Sequence, residues 1–109
     1  MSSLVERLSA GQHPLEASLR PVRSAADLKD CINRDFVSVR FTETRGGTEL
    51  GFKLDRAESD LSRANFDAPE GVVRLVGRLT LDYVRVRCVA EIDLKTLKGV
   101  GHLETVVEP

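Results

Sequence analysis

The chain has 109 residues, 41% hydrophobic and 30% charged, which is an ordinary globular composition and one domain's worth of sequence, taken here as 1–109. Its 16 basic and 17 acidic residues leave a formal net charge of -1, which argues against a dedicated duplex-DNA binder, normally basic. Two cysteines without a CxxC pair suggest neither a disulfide framework nor zinc, no apolar run approaches the ~20 residues that span a bilayer, and the opening MSSLVERLSAGQ lacks the apolar core of a signal peptide. The expected location is the cytoplasm, with reduced thiols and no membrane.

Residues 3 to 10 predict a short helix. Ser3 stands three residues before Glu6, the capping-box spacing. Leu4, Val5 and Leu8 share a face, and Gly11 is a natural stop. HPLEASLRPV, with Pro14 and Pro21, reads as one or two helical turns or as irregular chain. SAADLKDCINRDF predicts the better helix: Ser24 caps with Asp27 three residues on, and Leu28, Cys31 and Ile32 fall at i, i+3 and i+4. Residues 1–34 thus form a helical segment and 35–109 a sheet.

In FVSVRFTETRGGTELGFKLD, Val37, Val39 and Phe41 alternate with polar residues, as do Leu50, Phe52 and Leu54. If Gly46 and Gly47 form a two-residue turn, Arg45 faces Thr48, Phe41 faces Phe52, Val39 faces Leu54 and Arg40 faces Lys53. A phosphate-binding loop would need a helix after the glycines, and a strand pattern follows instead. RAESDLSRANFDAPEG reads as a connection. SDLSRANFDA resembles two pentapeptide-repeat units, but two units cannot stack into a solenoid with a core.

VVRLVGRLTLDYVRVRCVAEIDL changes phase in its middle. A tight turn at Asp82 and Tyr83 explains this, with Leu81 facing Val84, Leu79 Val86, Gly77 Cys88, Leu75 Ala90 and Val73 Ile92. The alternative is one bent strand with a bulge. KTLKG is the next turn, with Gly99 or Gly101 at its awkward backbone positions, and VGHLETVV is a last strand of undetermined facing. The expected fold is α+β: N-terminal helices packed on an antiparallel sheet of about five strands, made of two hairpins and a C-terminal strand.

No catalytic constellation, cofactor motif or metal ligand set stands out. His13 and His102 share no ligand spacing with a Cys, Asp or Glu. The directional feature is the outward face of the second hairpin, with Arg74, Arg78, Arg85 and Arg87, and with Val76 opposite Val89 among the charges. Arg78 facing Arg87 sets like charges side by side, which is destabilising unless something offsets it. The expectation is a small non-catalytic binding or accessory protein, working through a protein partner or self-association. The alternative is a small-ligand binder or enzyme with a pocket between helices and sheet lined by Tyr83, Cys88 or His102. A third reading is weak RNA or nucleotide binding through Arg78, Arg85 and Arg87, although few aromatics accompany them.

Overall fold

The computed structural model describes residues 3–19, 24–44 and 46–106. Among these it contains two short helices, α1 (Ser3–Ser9) and α2 (Ala25–Asn33), and six strands: β1 (His13–Ala17), β2 (Phe36–Phe41), β3 (Thr48–Leu54), β4 (Val72–Leu81), β5 (Val84–Asp93) and β6 (Lys98–Thr105). Every pairing is antiparallel, and β6 returns to β1, so the sheet is a closed barrel. The expected helices and antiparallel sheet are present. The sheet has a sixth strand and no open face on which helices could lie as a layer.

The sixth strand is β1, in the stretch read as helical turns or irregular chain. Leu15 and Ala17 point inward opposite Phe41 and Val39, and His13 faces Gly101 of β6. Leucine and alanine suit either structure, and five residues show too little alternation to tell them apart. Pro14 sits near the strand start, where a missing N–H is tolerated. Pro21 lies outside the described residues, as do the Ser3 side chain and Arg45.

Helix α2 forms as its sequence indicates. Ser24 Oγ accepts from the Asp27 N–H at 3.2 Å and donates to Asp27 Oδ2 at 2.8 Å. Leu28 and Ile32 are buried and join Val5 and Leu8 of α1 in the barrel's core, with Cys31 half-buried at its margin.

The first hairpin is offset from the expected register. Val37 faces Phe52, Val39 faces Leu50, and Phe41 faces Thr48. Gly46 (φ 74°) and Gly47 (φ 76°) are the end of a longer loop, in which the Gly47 N–H donates to Thr44 O at 2.9 Å and Thr44 Oγ1 meets Thr48 Oγ1 at 2.6 Å. The offset is four residues in the pairing sum. An even offset keeps apolar facing apolar, so side-chain alternation alone tolerates both registers.

The second hairpin has the expected register in all five apolar pairs, with a two-residue turn at Asp82 (φ 50°) and Tyr83 (φ 66°). Two positive φ values are the signature of the turn that matches strand twist. The next turn is 94–97, with Leu97 (φ 60°) in the left-handed region. Gly99 and Gly101 lie inside β6 instead, on the inward phase with Leu103. They are there for space. A Cβ on Gly99 would run into the Glu91 carbonyl, and one on Gly101 would sit 2.6 Å from the Val89 carbonyl oxygen. Gly77 of β4 is confined likewise by the Phe52 ring and the Lys53 carbonyl.

Two contrasts test this account by urea denaturation. Gly99→Ala should cost about 3 kcal/mol, at the upper end for overpacking, because backbone is in the way. Gly46→Ala meets no atom within 4 Å and should cost only the left-handed conformation, about 1 kcal/mol. Tyr83→Gly should stabilise by about 1 kcal/mol for the same conformational reason; a loss of stability would mean that the Tyr83 ring holds the fold.

Candidate functional site

Strands alternate their side chains, so the barrel's outer surface can be followed as rows across the pairings. One row runs Asp93, Lys98, Glu16, Arg40, Glu49 over β5, β6, β1, β2 and β3. Each neighbouring pair in that row is of opposite charge, and Lys98, Glu16 and Arg40 have an opposite charge on both sides. Arg40, expected to face Lys53, faces Glu49, and Ser18 Oγ donates to Glu49 Oε1. The like pairing inferred for the first hairpin therefore does not exist.

A second row is Lys53, Arg78, Arg87, Glu104 over β3, β4, β5 and β6. Arg78 does face Arg87, and the β3–β4 pairing adds Lys53 on its other side, so three cations precede the first carboxylate. Arg85 follows one step along β5, opposite Thr80. Arg87 is discharged locally: Nε donates to Glu104 Oε1 at 3.0 Å, and Nη2 donates to the same oxygen. Glu104 Oε2 also meets His102 Nε2 at 2.8 Å, and His102 Nδ1 meets Gln12 Oε1 at 3.2 Å. The hydrogen bond from His102 and then that from Arg87 hold the Glu104 carboxyl below the usual glutamate range. The Glu104 bond holds Arg87 above the ordinary arginine value. Arg74 is also matched, facing Glu91 and bridged to Asp60 across the other edge of β4. Among the described residues, Lys53 and Arg78 are the members of this row with no carboxylate opposite them.

Arg78 stands between two depressions. One, of about 220 Å³, is bordered by Arg78, Leu79, Thr80, Arg85, Val86 and Val106. The other, of about 720 Å³, is bordered by Asp35, Lys53, Leu54, Asp55, Arg56 and Arg78. In the second, Arg56 Nε donates to Asp35 Oδ1 at 2.5 Å and Nη2 to Ile32 O at 2.8 Å, so that arginine is tied to the end of α2. Phe36, 54% exposed, lies opposite Lys53 with its ring over Gly51.

Val76 and Val89, expected among the charges of the outer face, are not exposed there. They point outward but are 1% and 3% exposed. The 55–71 segment runs along the free edge of β4. The Asp55 N–H donates to Val76 O at 2.7 Å, the Val76 N–H donates to Ser59 Oγ at 3.0 Å, and Asp60 and Arg74 exchange backbone bonds at 2.8 and 2.9 Å. What reads as a connection is therefore an edge cover.

Tyr83, Cys88 and His102 do not share a pocket. Tyr83 is fully exposed at a hairpin tip, Cys88 is fully buried inside the barrel opposite Leu103, and His102 lies on the outer surface. Burial pushes the Cys88 thiol up to about 12. Among the described residues, no three His, Cys, Asp or Glu side chains gather as a metal ligand set, and no helix is long and apolar enough to cross a membrane.

No family model and no curated protein matches this chain. The two site features that sequence reading missed are Lys53 and Glu104. The outward phase of Lys53 was visible, but its partner strand was not. The facing of Glu104 depended on a strand whose inward positions are glycines.

Two measurements check these assignments. Cys88 should label with a thiol reagent far more slowly than half-buried Cys31 in the folded protein, and at the same rate in urea; fast native labelling of Cys88 would place it outside the core. A lowered carboxyl stabilises the fold above its ordinary titration range and loses that contribution as pH falls through the folded value. Glu104→Gln should therefore be less stable than the parent at neutral pH, with the gap closing as the pH falls below the ordinary glutamate range and through the lowered folded value. The gap should be small, because the Arg87 and Glu104 side chains are 35% and 40% exposed.

Proposed function

We propose that this chain works by binding rather than by catalysis, as an accessory or regulatory protein whose contact face is the surface around Lys53 and Arg78, with Arg85 beside it. The observation that carries the reading is the run of three cations over adjacent strands, on a barrel whose opposite side alternates its charges. Like charges on neighbouring strands cost stability. A partner that brings carboxylates relieves that cost and gains charge-assisted hydrogen bonds, for which a guanidinium is well shaped. The partner is an acidic protein surface. A phosphate-bearing partner would also suit the charge, but the exposed aromatic beside it is one phenylalanine, Phe36, which is little for stacking successive bases.

The test is charge reversal. Binding to soluble polyglutamate and to polyuridylate would be measured over a salt series for the parent and for Lys53→Glu with Arg78→Glu, with circular dichroism as the fold check. The expected result is salt-sensitive binding of polyglutamate that weakens about tenfold or more in the double variant, as loss of two desolvated charge pairs would give. Tighter binding of polyuridylate than of polyglutamate would transfer the face to a nucleic acid. Binding of neither would leave Lys53 and Arg78 as solvated side chains, and the proposal would fail.

A further inference from the structure

We propose that the seam between β3 and β4 takes an extended segment of the acidic partner as an added strand, an inference that rests on the reading of the Lys53 and Arg78 face above. The pairing of β3 with β4 consists of Lys53 opposite Arg78 and Leu54 opposite Gly77. β2 and β3, by contrast, pair over six positions and β4 and β5 over ten. Both strands continue past the short ladder. Its register, extended, would set Phe52 opposite Leu79, Gly51 opposite Thr80 and Leu50 opposite Leu81, and none of these pairs forms. The strands diverge there, towards the barrel end where β3 begins and β4 ends.

The backbone groups at that divergence face into it. On β4, Arg74 and Val76 direct N–H and C=O to the β3 side, where 55–60 receives them. By the two-residue period, Arg78 and Thr80 point the same way. On β3, the Leu54 N–H donates to Asp35 O on the β2 side, so Lys53 and Gly51 face β4. The edge of β4 is thus filled by the 55–60 segment at one end and by β3 in the middle, and among the described residues the filling stops before Thr80.

The two faces of the seam differ in chemistry. Leu79, Leu81 and Val84 point inward and are only partly buried against the core. Lys53, Arg78 and Arg85 lie on the outer side. A strand that alternates acidic with apolar residues would place carboxylates on the cations and apolar side chains on the leucines, which is how strand addition combines main-chain affinity with side-chain choice. Glu49 and Asp82 lie at the open end, and Asp35 and Asp55 border the depression beyond the ladder, so the segment's carboxylates belong between these, beside Lys53 and Arg78. Gly51 adds no side chain of its own to the seam.

The experiment uses the full chain and three short acetylated and amidated peptides with equal numbers of glutamates and valines. One alternates the two residues, one is the same peptide N-methylated at each valine, and one carries its glutamates in a block followed by its valines. The alternating peptide should bind at least about tenfold more tightly than the other two, since they lose main-chain hydrogen bonds or facing. It should also slow amide hydrogen exchange at Gly51 and Thr80. Equal affinity for all three peptides, or unchanged exchange at both amides under saturation, would overturn strand addition and leave the charge reading standing. Binding of none of them at low salt, together with no binding of polyglutamate, would remove both.

Discussion

A sheet of six strands closes on itself only if its strands coil sharply. Sharp coiling brings the backbone of one strand into the space where a neighbour's inward Cβ would stand. In this chain that conflict is resolved at Gly77, Gly99 and Gly101, all on the inward phase and all against a neighbouring carbonyl. The inward positions that carry bulk, such as Phe41, Phe52, Leu75, Ile92 and Leu103, then fill a lumen that α1 and α2 supply with Val5, Leu8, Leu28 and Ile32. Glycine at a barrel corner trades side-chain packing for curvature. Without that curvature β6 would not reach β1, and two edges would be left open.

Closure also decides where the surface charges meet. Strands at a fixed register bring fixed outward residues together, so the alternating row through Glu16 and Arg40 and the cationic row through Lys53 and Arg78 are both consequences of pairing. The first row is self-satisfied at each step and resembles the usual use of charge on an outer sheet face. The second ends in the Arg87, Glu104 and His102 cluster on one side only. On the other side its excess charge stands beside the shortest ladder in the barrel.

What could be read from the sequence follows from what side-chain alternation encodes. The β4–β5 register was legible because a two-residue turn fixes every later pair, and five apolar pairs agreed. The β2–β3 register was not, because alternation has a period of two and accepts any even shift; only the loop length, 42–47, separates the two solutions. That shift is why Lys53 was assigned to Arg40 instead of Phe36, while its other neighbour, Arg78, comes from the β3–β4 pairing that no turn announces. Strand β1 was hidden by brevity and by Pro14. The barrel itself was hidden because Gly99 and Gly101 look like turn residues, and their role as space for a neighbouring backbone depends on contacts far apart in sequence. The face with Arg78 and Arg87 was visible, whereas its neutralised half, at Glu104, and the burial of Val76 and Val89 were not.

The seam and the cationic row coincide for a physical reason. A ladder of two pairs contributes few cross-strand contacts, and cations gathered on both of its strands weaken it further. The diverging ends stay held on their far sides, β3 by β2 at 50–52 and β4 by β5 at 79–81. Sites that accept partners are drawn from such low-stability regions. The 55–71 segment strengthens the argument, because it saturates β4 at Arg74 and Val76, where a free edge would invite unwanted pairing, and goes no farther. Among the described residues, one end of the edge is covered and the other is not, with positive charge at the junction, which is the arrangement that the proposed addition of an acidic strand would use.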